Sequence, residues 1–198
     1  MWKLHGVILG AILLTAGCSS AAKEKVPVSG SGESGVKQQE KAASEVNAPI
    51  INTEGESIGS AVIRAEESGV AMDITVTGLT PGKHGIHIHE HGVCTAPDFK
   101  ASAGGHFNPG GKEHGFDNPK GYHAGDLENI EADENGNAAV LITTDAVTLE
   151  LGKENSLLDG GGKALVIHEG EDDYKTDPAG NSGTPFACAE ITSENLSE

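Results

Sequence analysis

The sequence predicts an all-β fold, a Greek-key β-barrel or sandwich of about eight antiparallel strands with two long functional loops. Three observations carry this expectation. SIGSAVIRAE (57–66) and VAMDITVTGL (70–79) alternate apolar and polar positions and are rich in Val, Ile and Thr, as half-buried strands are. No stretch shows a sustained helical period. Turn residues punctuate the chain, with TPGKHG (80–85) between strands and DENGN (133–137) as a hairpin-type turn.

The elements follow in chain order. Trp2, Lys3 and His5 precede an apolar run, VILGAILLTAG, that ends at Cys18. A charged start, a short apolar run and a small-residue exit mark residues 1–17 as a secretory signal peptide; a spanning helix needs about 20 apolar residues. Leu14-Thr15-Ala16-Gly17-Cys18 resembles a bacterial lipobox, which implies that Cys18 is lipidated, for instance with palmitate, and becomes the N-terminus. The chain is then exported and lipid-anchored to the cell membrane on its extracytoplasmic side; the other reading is a plain secreted protein. Residues 18–46 carry Ser, Gly, Lys, Glu and Ala with almost nothing to bury, the composition of a flexible tether. The domain is expected over 47–198, with NAAVLITTD (137–145), ALVIHE (164–169) and CAEIT (188–192) as further strands. Residues 90–126 and 169–185 are long, rich in Gly, Asn, Pro and Asp, and loops of that kind are usually functional or disordered.

Charge narrows the partners. A formal net charge of −17 argues against nucleic acid and against attraction to anionic lipid headgroups. With Cys18 assigned to lipid, Cys94 and Cys188 are an even pair in an exported chain, where disulfides persist. A bridge between them would close nearly half the chain, worth roughly 4–5 kcal/mol in the loop-entropy model; two free thiols are the alternative.

Eight of the nine histidines lie between positions 84 and 168. In HGIHIHEHGVC (84–94), strand alternation puts His87 and His89 on one face and Ile86 and Ile88 on the other. Two imidazoles at i, i+2 make half a metal site. His84 has the wrong parity and reads as a hydrogen-bonding strand residue. His91 follows at the right parity, but Gly92 ends the strand, so it reads as a surface residue. The next loop adds His106, His114, His123 and Asp126 among many glycines, and three imidazoles with one carboxylate suit a closed tetrahedral zinc site. His168 ends the apolar strand ALVIH, from which a neighbouring strand could bring it to His87 and His89. Two clusters result, and one shared residue could join them.

GIHIHEHG, AGGHFNP, KEHG, GYHAGDL, ALVIHEGEDD and GNSGTPFACAEI, in this order, resemble the copper/zinc superoxide dismutase family over roughly residues 48–192. The resemblance implies dismutation of superoxide to oxygen and hydrogen peroxide, with one copper and one zinc per subunit. It implies His87, His89, His106 and His168 as copper ligands. His106 would be the imidazolate bridge and the residue that exchanges a proton in catalysis. His114, His123 and Asp126 would complete the zinc site, and Asp172 would join the two sites through ligand histidines. It also matches Cys94 and Cys188 to the family's disulfide. Members occur as monomers and as homodimers, and nothing in the sequence marks an interface.

One departure stands out. Where the family reads G-N-x-G-x-R, this chain reads GNSGTP, with Pro185 in place of the arginine that draws in the anion. Proline has neither charge nor donor, so reduced efficiency with intact metal binding is expected; Lys175 in the same loop is a candidate substitute. The competing reading is a non-enzymatic copper/zinc-binding surface lipoprotein on the same fold.

Overall fold

The computed structural model describes residues 45–197. The signal peptide, Cys18 and the tether up to residue 44 lie outside the described residues. Glu45 and Val46 do not belong to a tether: the first strand, β1, spans Glu45–Asn52, and Val46 is fully buried. Its alternation, VNAPII, is short and interrupted by Pro49, which hid it in the sequence.

Eight more strands follow: β2 (Ser57–Ala65), β3 (Val70–Val76), β4 (Gly82–His84), β5 (Ile86–His89), β6 (Ile130–Ala132), β7 (Ala138–Thr144), β8 (Lys163–His168) and β9 (Pro185–Ile191). The three-residue strands β4 and β6 are too short to show a period. Seven strands form one curled antiparallel sheet in the order β5-β8-β9-β1-β2-β3-β7, and β4 pairs with β6 in a second ladder. Since β4 runs into the edge strand β5 and β6 leads to the opposite edge strand β7, the small ladder links the two edges. The connections from β3 to β5 and from β7 to β8 cross between distant parts of the sheet, giving the Greek-key character.

Alternation sorts the faces of β5, β8 and β9. Ile86, Ile88, Leu165, Ile167, Ala187, Ala189 and Ile191 enter the main core with Ile50, Ile63, Met72 and Ile74. Full burial of each such aliphatic side chain contributes about 1.5–3 kcal/mol. The opposite face carries His87 and His89 on β5, Ala164, Val166 and His168 on β8, and Cys188 on β9. A short helix, α1 (Phe99–Ala103), covers part of that face, with Asp98 accepting from the Ala101 amide at its start. Phe99 and Ala103 pack there on Ala164, Val166 and Cys188.

The first long loop is therefore not wholly irregular, and it is tied down covalently. Cys94 and Cys188 form a disulfide with a Cα–Cα distance of 5.7 Å, and the Cys94 amide donates to Glu190 Oε1 at 2.7 Å. We expect Cys94→Ser to lower stability by about 2–5 kcal/mol, measured by equilibrium denaturation. A loss under about 1 kcal/mol would mean that α1 alone holds the loop.

Candidate metal centre

Backbone pairing brings the histidines together. β5 lies antiparallel to β8 with His87 opposite Val166 and His89 opposite Ala164. A register shift in the β8–β9 ladder sets His168 opposite Pro185, and such bulges re-aim the side chain they carry. On the other side of β5 the loop folds back along the strand. The Ile88 amide donates to Gly125 O, the Phe107 amide to Ile88 O and the Glu90 amide to Gly105 O, at 2.8, 2.8 and 2.9 Å. This sets His106 beside His89 and Asp126 beside His87. Position 125 must be glycine for this approach, because a Cβ there would sit 2.2 Å from Ile88 O.

Four rings, His87, His89, His106 and His168, each aim one nitrogen at a common point, with the ligand atoms within 4.8 Å of one another. Three of these rings are fixed from behind. His87 Nε2 lies 2.7 Å from Asp172 Oδ2, His89 Nδ1 2.9 Å from Gly104 O and His168 Nδ1 3.1 Å from Gly183 O. A proton held on that side leaves a lone pair on the other. The atoms so left, His87 Nδ1, His89 Nε2 and His168 Nε2, together with His106 Nε2, are buried and have no hydrogen-bond partner. Unpaired buried polar atoms cost about 1–3 kcal/mol each, and four converging imidazole lone pairs are the donor set a copper ion takes.

The second cluster shares His106. Asp126 Oδ2 accepts from the amides of Gly115 and His123, both at 3.0 Å, which turns Oδ1 toward three rings. Asp126 Oδ1 is 2.9 Å from His106 Nδ1, 3.0 Å from His114 Nδ1 and 3.1 Å from His123 Nδ1, and the His106 and His123 Nδ1 atoms are 3.4 Å apart. A tetrahedron with metal–ligand bonds of 2.0–2.1 Å has edges of about 3.3–3.4 Å. The four atoms thus lie close to the corners zinc needs, drawn slightly inward. His114 Nδ1 is close to Asp126 Oδ1 without hydrogen-bond alignment and is itself unpartnered.

Asp172 spans both clusters, with Oδ2 on His87 and Oδ1 3.0 Å from His114 Nε2. Gly180 leaves it room: a Cβ there would fall 1.7 Å from Asp172 Oδ1, and the glycine has φ +61°. Burial alone raises both carboxyls, but hydrogen bonds from the ligand histidines hold Asp126 and Asp172 well below the usual carboxylate range.

His84 is buried and joins the end of β8 to the turn before β4, its Nδ1 2.7 Å from His168 O and its Nε2 2.8 Å from Thr80 O, so it braces the main chain of His168 and offers no ligand. His91 is exposed, its Nε2 3.5 Å from Glu90 Oε1. Lys175 is exposed, its amide bonded to Asp173 Oδ1 at 2.9 Å; among the described residues its ammonium makes no ion pair. Pro185 is half-buried at the start of β9. Sequence reasoning missed Asn129, which clasps the Asp172 main chain from 43 positions away. No local pattern announces a contact of that span.

The family model for copper/zinc superoxide dismutase matches residues 57–191. A copper-zinc superoxide dismutase of Aquifex aeolicus is 46% identical over 192 residues, covering 96% of this chain and 99% of that protein. The crystal structure of a superoxide dismutase-like protein from Bacillus subtilis superposes with TM-score 0.70 at 40% identity, covering 73% of this chain and 97% of that one. For the Cu/Zn superoxide dismutase from Brucella abortus the TM-score is 0.60 at 28% identity, covering 74% and 99% of the two chains.

Burial holds His87, His89 and His168 neutral, with pKa values pushed down to about 3, 2 and 4, against about 6.5 when unfolded. Metal-free folded protein then refuses protons that the unfolded chain takes up, so stability present above pH 6.5 is lost progressively as pH falls from there through about 4, 3 and 2. His114 has the opposite sign. Burial lowers it, but Asp126 and Asp172 outweigh this and raise it to about 9, so its contribution is full below pH 6.5 and lost as pH rises through 9. We expect the metal-free protein to be most stable near neutrality, measured by denaturation from pH 4 to 10. A flat acid limb would rule out buried neutral imidazoles.

Proposed function

The chain belongs to the copper/zinc superoxide dismutase family, and from that premise we propose that it dismutates superoxide to oxygen and hydrogen peroxide. The family uses copper and zinc. We assign copper to His87, His89, His106 and His168, and zinc to His106, His114, His123 and Asp126, one ion of each per subunit. The observation that carries this reading is the convergence of four buried, unpartnered imidazole nitrogens beside a tetrahedral set that shares one ring with them. When bound, copper supplies reversible one-electron exchange with superoxide, and zinc supplies a fixed positive charge with no redox chemistry of its own.

The chain's own groups do the rest. His87, His89 and His168 are each tied at the second nitrogen to a carboxylate or carbonyl, so they hold position. His106 differs: its Nδ1 belongs to the Asp126 cluster and its Nε2 to the four-ring cluster. It is the ring able to carry a proton on Nε2 and pass it to a peroxide oxygen while Nδ1 keeps the ring aligned.

Approach of the anion is the weaker part of the design. The chain carries a net charge of −17, and Pro185 beside His168 supplies no positive charge to offset it. We therefore propose a dismutase of reduced efficiency. With full copper and zinc loading, Pro185→Arg should raise the second-order rate with superoxide roughly tenfold and steepen its salt dependence. No gain in rate would sink this explanation. Pro185 is also the observation that favours the second reading, a copper/zinc-binding protein without dismutase activity. That reading requires stoichiometric metal with no superoxide removal in the parent or in Pro185→Arg.

We also propose that the chain is exported and held to the membrane by lipid on Cys18, with the segment after it as spacer. Cys18→Ser should move the protein from the membrane fraction to the soluble exported fraction. Retention in the membrane fraction would contradict the anchor.

A further inference from the structure

Asp172 can bond His87 and His114 at once only if its main chain is held still, since two rotatable side-chain bonds separate Cα from the carboxylate. Its main chain is held by a side chain from another loop. The Asp172 amide donates to Asn129 Oδ1 at 2.9 Å, and Asn129 Nδ2 donates to the Asp172 carbonyl at 2.9 Å. Both functions of one primary amide are spent on the two main-chain groups of one residue, in the manner of a strand pairing. The clasp is braced in turn. The Asn129 amide donates to the Tyr174 hydroxyl at 2.6 Å, and the Tyr174 amide donates to Asp172 Oδ1 at 2.7 Å. On its other sides Asp172 is packed, since a Cβ on Gly85 would lie 3.2 Å from Asp172 Cβ and Gly180 lies against the carboxylate, and the following amide, of Asp173, donates to Gly180 O at 2.8 Å.

Asn129 sits three residues after Asp126, on the segment that also carries the carboxylate of the tetrahedral cluster. It thus ties that segment to the loop of Asp172. We infer that Asn129 is a positioning residue, which locks Asp172 so that a single carboxylate orients the rings of His87 and His114 together. The inference rests on the copper and zinc assignment made above and extends it to a residue that touches neither metal. Removing a partner that orients a ligand typically weakens metal binding 10–100-fold.

The test uses the metal-free protein, with zinc affinity measured by competition against a chromophoric chelator and the Cu(II) EPR spectrum recorded after both metals are added. Asn129→Ala should weaken zinc binding 10–100-fold and shift the EPR spectrum; Asn129→Ser, which leaves a smaller void, should do the same to a lesser degree and covers the case in which the alanine variant does not fold. In an Asp172→Ala background, Asn129→Ser should have no further effect beyond about twofold, because its action runs through Asp172. Zinc affinity and EPR unchanged in either variant, even with a lowered melting temperature, would overturn the inference, as would an undiminished effect in the Asp172→Ala background. If the parent bound no zinc, the metal-centre reading would fall first and this inference with it.

Discussion

Everything at the centre depends on one ring having two unlike neighbours. The His106 imidazole must present Nε2 to three other histidines while Nδ1 stays 2.9 Å from Asp126 Oδ1. The ring is rigid and rotation alone cannot place both nitrogens, so the loop that carries it has to be placed closely. The fold meets this by treating the loop as an extra strand on the exposed edge of β5, with main-chain bonds at Ile88 and Glu90. The disulfide and α1 then fasten the loop's entrance to β8 and β9. Stability and chemistry are thus served by the same contacts, and a protein of this design has little freedom to loosen one without the other.

The division of labour between the faces of β5, β8 and β9 follows from the two-residue period of a strand. One face is aliphatic and drives folding; the other is divided between a small apolar cluster under α1 and buried histidines whose lone pairs call for a ligand. A buried cluster of neutral imidazoles is poorly solvated and poorly bonded, so the apoprotein carries a local penalty that metal removes. Carboxylates at Asp126 and Asp172 orient the rings and supply negative charge beside the ions, but the protein surface beyond them is also acidic. The interior is therefore well suited to cations, whereas an approaching anion meets a field of its own sign.

Much of this was legible in the sequence, and the exceptions are instructive. Alternation alone selects His87 and His89 and rejects His84, and the structure places the first two in the four-ring cluster and the third in a main-chain brace. β2 and β3 show their period plainly, whereas β7 and β8 show as apolar runs rich in Val, Leu and Ile. β1 was lost because Pro49 and a polar start blur its pattern, and β4 and β6 because three residues contain no period to read. The same limit hid Asn129: its partners are main-chain atoms of a distant loop, which any residue type would supply. Short local patterns reveal side chains that face a common solvent or core, and they are silent on clasps formed after the chain has folded.

The tight packing at Gly180 has a consequence for how this protein can change over time. The segment from 169 to 184 is largely exposed, and outlying charged residues such as Glu169, Glu171 and Lys175 can turn over with little effect on the core. At position 180 every mutation adds at least one carbon to a space already filled by a carboxylate oxygen. Selection can thus remodel the charge of this segment gradually, substitution by substitution, while Gly180 and the carboxylate it packs against stay locked. A substitution at half-buried position 185 is within reach of ordinary drift; a change at 180 would demand a simultaneous rebuilding of the bridge between the two clusters.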